Sequence, residues 1–81
     1  MVVLYKFRRT RVGESLSSQC NGTTKTFTTV YDFNPDKIAV YLNGQRLAKN
    51  VDFTVTDTDE FQLTHITPRS YYILIVDYER A

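Results

Sequence analysis

Ile38 to Val55 reads IAVYLNGQRLAKNVDFTV, and its centre decides the class of fold. Asn43-Gly44 is the pair favoured in a two-residue type I′ turn, where both central residues take φ > 0, and alternating runs flank it on either side. The turn sets a register in which Leu42 faces Gln45. Ile38, Val40 and Leu42 then fall on one side of the strand, and Ala39 and Tyr41 on the other. None of these side chains is a catalytic group, and the same holds along the rest of the chain.

Working outward, a connection around Ala48 to Asp52 leads to a strand from Phe53 to Thr56. A turn at Asp57 to Asp59, a strand from Glu60 to Thr64 and a turn at Thr67-Pro68-Arg69-Ser70 follow. The last strand runs from Tyr71 to Tyr78. Upstream, Lys25 to Thr29 is a short β run and Asn34-Pro35-Asp36 has turn chemistry, because proline fixes φ and Asn and Asp bond back to the backbone. Val2 to Phe7 is an apolar and aromatic start. The basic RRTR and the polar VGESLSSQCNGTTK after it read as a long loop or arm. About seven short strands between turn signals predict an all-β fold, a small antiparallel β-sandwich that is Ig-like or barrel-like. It is one domain, with an N-terminal strand and basic arm in residues 1–20 and the sandwich module in residues 21–81. In the final strand both alternating sets are apolar, Tyr72, Leu74, Val76 and Tyr78 against Tyr71, Ile73 and Ile75. Such a strand is either central in a sandwich or lies against a partner chain.

Composition narrows the function classes. A chain of 81 residues buries only about 60–65% of its unfolded surface, so a lone core leaves it marginal. Cys20 is the single cysteine and His65 the single histidine, which excludes an intrachain disulfide and gives poor support for a metal cage. Association is the remaining support, and a homo-oligomer or multi-copy assembly is expected. The net charge of +1 gives no strong pull toward nucleic acid or membrane. No run is long enough to span a bilayer, and MVVLYKFRRT is too short and too charged for a signal peptide, so an intracellular product with a reduced thiol is expected. The charge is unevenly spread. Residues 1–25 hold Lys6, Arg8, Arg9, Arg11 and Lys25 against Glu14, net +4, and residues 26–81 hold five basic against eight acidic groups, net −3. That complementarity suits either a first strand pinned to its own domain or head-to-tail steering between molecules.

The order NGTTKTFTT, VYLNGQRL, VDFTV and THITPRSYYILIVDY resembles a β-module of tailed-bacteriophage structural proteins, found in tail fibres including the virion-attached end of podophage fibres. The resemblance covers Asn21 to Tyr78. It implies that Asn43 and Gly44 form the turn, that Phe27, Val40, Leu42, Phe53, Leu63 and Val76 lie inside, and that Asp52 hydrogen-bonds a nearby turn backbone. Two departures affect loop shape: Lys49-Asn50-Val51 stands where the module often has a glycine before the Asp, and Arg69-Ser70-Tyr71 where Gly-Asp is common. Residues 1–20 have no counterpart.

The remaining constellations carry little chemistry. Asp57, Asp59 and Glu60 read as a solvated turn rather than a calcium loop, and His65 has no nucleophile tied to it by spacing. Cys20 reads as a loop thiol. Asn21-Gly22-Thr23 matches the glycosylation triplet but lacks a secretory context. KFRRTR is the candidate contact surface, because Arg forks toward carboxylates or phosphates and Tyr5 and Phe7 sit among the charges. A plain solvated strand face is the first reading of it, a protein–protein contact the second and nucleic acid the last. Expected partner contacts are therefore Val3, Tyr5, Lys6, Arg8, Arg9 and Arg11, with Tyr71, Ile73 and Ile75 on the last strand. The expectation is a non-enzymatic virion protein without cofactor, acting on other virion proteins at the fibre attachment, neck or capsid surface; nucleic acid is not an expected partner. The alternative is an Ig-like module that recognises a host glycan or a nucleic acid.

Overall fold

The structure, a computed structural model, describes residues 10–81. Among the described residues seven strands, β1 (Thr10–Ser15), β2 (Thr26–Thr28), β3 (Phe33–Leu42), β4 (Gln45–Arg46), β5 (Phe53–Asp57), β6 (Glu60–Leu63) and β7 (Leu74–Arg80), form two antiparallel sheets. One has the order β1-β7-β3-β4 and the other β2-β6-β5. This is the small all-β fold expected.

The hairpin forms for the reason its sequence gives. Asn43 and Gly44 have φ of 53° and 84°, the left-handed values a primed turn requires, and Leu42 pairs with Gln45. Asn43 also anchors the chain beyond the hairpin: its N–H donates to the Ile73 carbonyl and its Oδ1 accepts from the Ile73 N–H, each at 2.8 Å. Asp52 Oδ2 accepts from the Ala48 N–H at 2.8 Å. In the same connection Asn50 has φ of 66°, a left-handed conformation that its short polar side chain tolerates.

Between the sheets lie Phe27, Val40, Leu42, Phe53, Leu63 and Val76, joined by Leu16, Cys20, Phe33, Phe61, Leu74 and Tyr78. Phe61 is the hub, with its ring centroid 5.9 Å from that of Phe27 and 5.8 Å from that of Phe53. Phe33 and Tyr78 form a second pair at 5.8 Å. Such tilted and edge-on pairs add to plain area burial.

Three expectations are corrected. The stretch read as a long loop carries β1 up to Ser15 and then turns Leu16 and Cys20 into the core; its strand has little apolar alternation because its inward side chain is Glu14, held by long-range hydrogen bonds. The last strand starts at Leu74, not Tyr71. Tyr72 N–H donates to the Arg69 carbonyl, so the proline turn continues through residues that by propensity alone favour a strand. Asn34-Pro35-Asp36 keeps its local chemistry, with Asp36 N–H bonded to Asn34 Oδ1, but it lies inside β3. There it forms an irregularity between the Phe33–Arg80 and Ile38–Tyr78 pairs, a place where a strand accepts proline. The expected strand over Val2 to Phe7 lies outside the described residues.

Candidate partner-contact surfaces

The two flanks of the sandwich differ. On the β1/β2 side Glu14 is buried, and its Oε1 accepts the Tyr78 hydroxyl at 2.6 Å and Arg11 Nε at 3.1 Å. Its Oε2 accepts the Val30 N–H at 2.9 Å, while the Tyr31 N–H donates to the Tyr78 hydroxyl at 3.3 Å. Burial, with the Glu14 carboxyl second, pushes the Tyr78 hydroxyl up to about 12. Above the Tyr31 ring sit Arg80, 3.8 Å from the centroid, and Arg11, at 5.8 Å. A little further along, Gln19 acts as a short piece of strand. Its amide nitrogen donates to the Thr28 carbonyl at 2.8 Å and its Oε1 accepts the Thr28 N–H at 3.0 Å. Thr29 N–H bonds the Asp59 carbonyl, so by antiparallel alternation the Thr28 groups point away from β6. Gln19 thus satisfies an edge that no strand among the described residues covers.

The β3/β5 flank has no such seal among the described residues. An open groove of ≈ 510 Å³ runs there, lined mainly by Phe33, Pro35, Val55 and Thr56, with Asp32 and Asp57 at its rim. Thr64 N–H donates to the Asp52 carbonyl, so alternation turns the backbone groups of Thr54 toward β6 and those of Val55 away from it. Lys49 Nζ reaches the Pro35 carbonyl and lies 3.8 Å from Asp36.

The residues expected to meet a partner separate into distinct places. Val3, Tyr5, Lys6, Arg8 and Arg9 lie outside the described residues. Arg11 is half exposed, yet its guanidinium is engaged inside the molecule by Glu14. Tyr71 and Ile73 are exposed, at 74% and 56%, and stand beside the Asn43-Gly44 turn. They are at the opposite end of β7 from Arg11, which pairs with Tyr78. Ile75 is half buried on the outer face of its sheet, between Tyr41 and Ser15.

The other candidates stay simple. His65 is exposed, and among the described residues no group of three or more His, Cys, Asp or Glu side chains is placed to hold a metal ion. Cys20 is buried, which raises its thiol pKa above the ordinary value. Asn21 Oδ1 accepts from Thr23 N, Thr23 Oγ1 and Thr24 N and so has a turn-forming role. Sequence reasoning missed Glu14, Gln19 and Tyr31. The available signal for Glu14 was its place two residues before Leu16, on the same face of any strand that includes both. No family model, curated protein or solved structure matches this chain.

Proposed function

We propose that the chain is a non-enzymatic structural or assembly protein of a tailed-phage virion, made in the host cytoplasm and working in several copies through contacts with other virion proteins. Fibre attachment, a neck or tail adaptor and the capsid surface are the positions it suits. One observation carries this reading. The residues through which the chain resembles the phage module take the structural parts that module would give them: the six expected apolar side chains are buried, Asn43-Gly44 makes the turn and Asp52 holds the Ala48 N–H. The polar side chains serve the fold in the same way, as Glu14, Gln19 and Asn21 do.

A second reading, an Ig-like module for a glycan or a nucleic acid, draws on Tyr71. Its ring is largely exposed and stands edge-on to Tyr72 at 5.2 Å, with the exposed Arg69 in the same turn. An aromatic face with a nearby cation is a stacking platform for bases or sugars. The deciding experiment is to express the tagged chain during infection and band the particles in a density gradient. Co-migration with particles, and a position for the chain in a density map of them, is the expected result. A chain that stays out of the particles but binds an oligosaccharide or DNA in isolation overturns the assembly reading.

A further inference from the structure

The open β3/β5 flank and the start of the chain are complementary, and we infer that Val2–Phe7 of a second copy fills this groove. The inference rests on the assembly reading and names the surface through which copies join. Three observations meet here. The groove is apolar along Phe33, Pro35 and Val55 and acidic at its rim, through Asp32 and Asp57. Its occupant must therefore be apolar with cations at one end. VVLYKFRR has that form: alternation puts Val3, Tyr5 and Phe7 on one face, and Arg8 and Arg9 follow at the position of the rim. The backbone groups of Val55 face this flank, where no strand among the described residues pairs with β5, and an extended segment can add there.

The third observation is where the segment starts. Thr10 pairs with Glu79, and the next residue of β7, Arg80, pairs with Phe33. Residues 1–9 therefore join the sandwich at the end where Asp32, Thr58 and Ala81 frame the groove. To enter its own groove the chain has to reverse direction between Phe7 and Thr10, and Phe7-Arg8-Arg9-Thr10 contains no Gly, Pro, Asn, Asp or Ser to favour a tight turn. A copy that faces the first one end to end receives the segment without reversal. Its own segment returns in the same way, so the exchange is reciprocal and closes as a two-fold dimer. The inserted segment runs antiparallel to β3 and parallel to β5.

Disulfide trapping in the full-length chain tests this. Thr56→Cys protein is mixed with Tyr5→Cys protein and, separately, with Val3→Cys protein, and the mixtures are oxidised and run without reductant. The native Cys20 is buried and stays in place; a Cys20→Ala background serves as the control. A mixed disulfide dimer from the mixtures is expected. Sedimentation should show that Asp57→Lys weakens the dimer about tenfold or more, and that mixing with an Arg8→Glu/Arg9→Glu partner restores part of the loss. A Tyr5→Cys/Thr56→Cys double variant that closes only an intrachain disulfide, with no mixed dimer from the single variants, overturns the inference, because the occupant is then the chain's own segment. Self-association that neither cross-links nor responds to Asp57→Lys also overturns it. The assembly reading is scored separately, by incorporation of Asp57→Lys protein into particles.

Discussion

Tyr78 Oη lies 2.6 Å from Glu14 Oε1 and joins the last strand to the first. The same hydroxyl accepts the Tyr31 N–H, so one oxygen links β7, β1 and the segment that leads into β3. Tyr78→Phe keeps the ring against Phe33 but leaves that N–H without its acceptor and one Glu14 contact unmade. A loss of about 1–3 kcal/mol is expected in urea unfolding. The double variant with Glu14→Gln should cost less than the sum of the two single changes, since the groups share one network.

The same phenol makes stability depend on alkaline pH. The folded chain holds this proton up to about pH 12, whereas an unfolded tyrosine releases it near the ordinary value of 10.0. The contribution is therefore complete below pH 10 and is lost as pH rises through 12, because the unfolded chain binds fewer protons there. Urea midpoints measured at steps from pH 9 to about pH 12 should fall across this window. The fall should be shallower in Tyr78→Phe.

Gly44→Val should cost about 1–3 kcal/mol. Gly44 has φ of +84° with no heavy atom within 4 Å of an added Cβ, so the cost is one of backbone strain alone. Gly44→Asn should recover much of it, because Asn tolerates left-handed φ. Melting temperatures of the two variants side by side check this.

Cys20 should react with a thiol reagent only on unfolding. Its sulfur is buried beside the Leu16 carbonyl and its thiol pKa is raised by that burial, so the thiolate is scarce at neutral pH. Labelling at pH 8 should track the unfolding transition in denaturant rather than precede it.

Arg8→Ser/Arg9→Ser should leave the melting temperature within about 0.5 kcal/mol of wild type in equivalent stability while slowing association and incorporation into particles. Rising ionic strength should slow the wild type in the same way, as expected of rim charges. Arg11 is left out of this test because its guanidinium serves the buried Glu14, and removing it disturbs the fold itself.

How far the sequence reveals this molecule depends on whether the cause is local or distant. Asn43-Gly44 and the alternation of Val40 with Leu42 carry their own explanation within a few residues, and the hairpin was readable to the residue. β1 was not. Its inward position is Glu14, whose partners Val30 and Tyr78 are 16 and 64 positions away. Tyr71 to Ile73 misled in the opposite direction: they look like strand, but the Arg69–Tyr72 turn bond keeps Tyr72 in the turn, and Ile73 N–H bonds the Asn43 side-chain oxygen where a continued ladder would use the backbone carbonyl. The groove was invisible for a topological reason. It exists because β5 ends one sheet while β3 has only the two-residue β4 beyond it in the other, and strand order is not written in any single segment.

Gln19 holding Thr28 has a further consequence for how many neighbours one molecule can accept. An extended edge is a template for endless stacking, and a chain with two open flanks is divalent and free to polymerise. Gln19 occupies the outward N–H and C=O of Thr28 and so removes one such template. Gln19→Ala would unmask that edge, and its mark would be growth in light scattering beyond that of the parent chain.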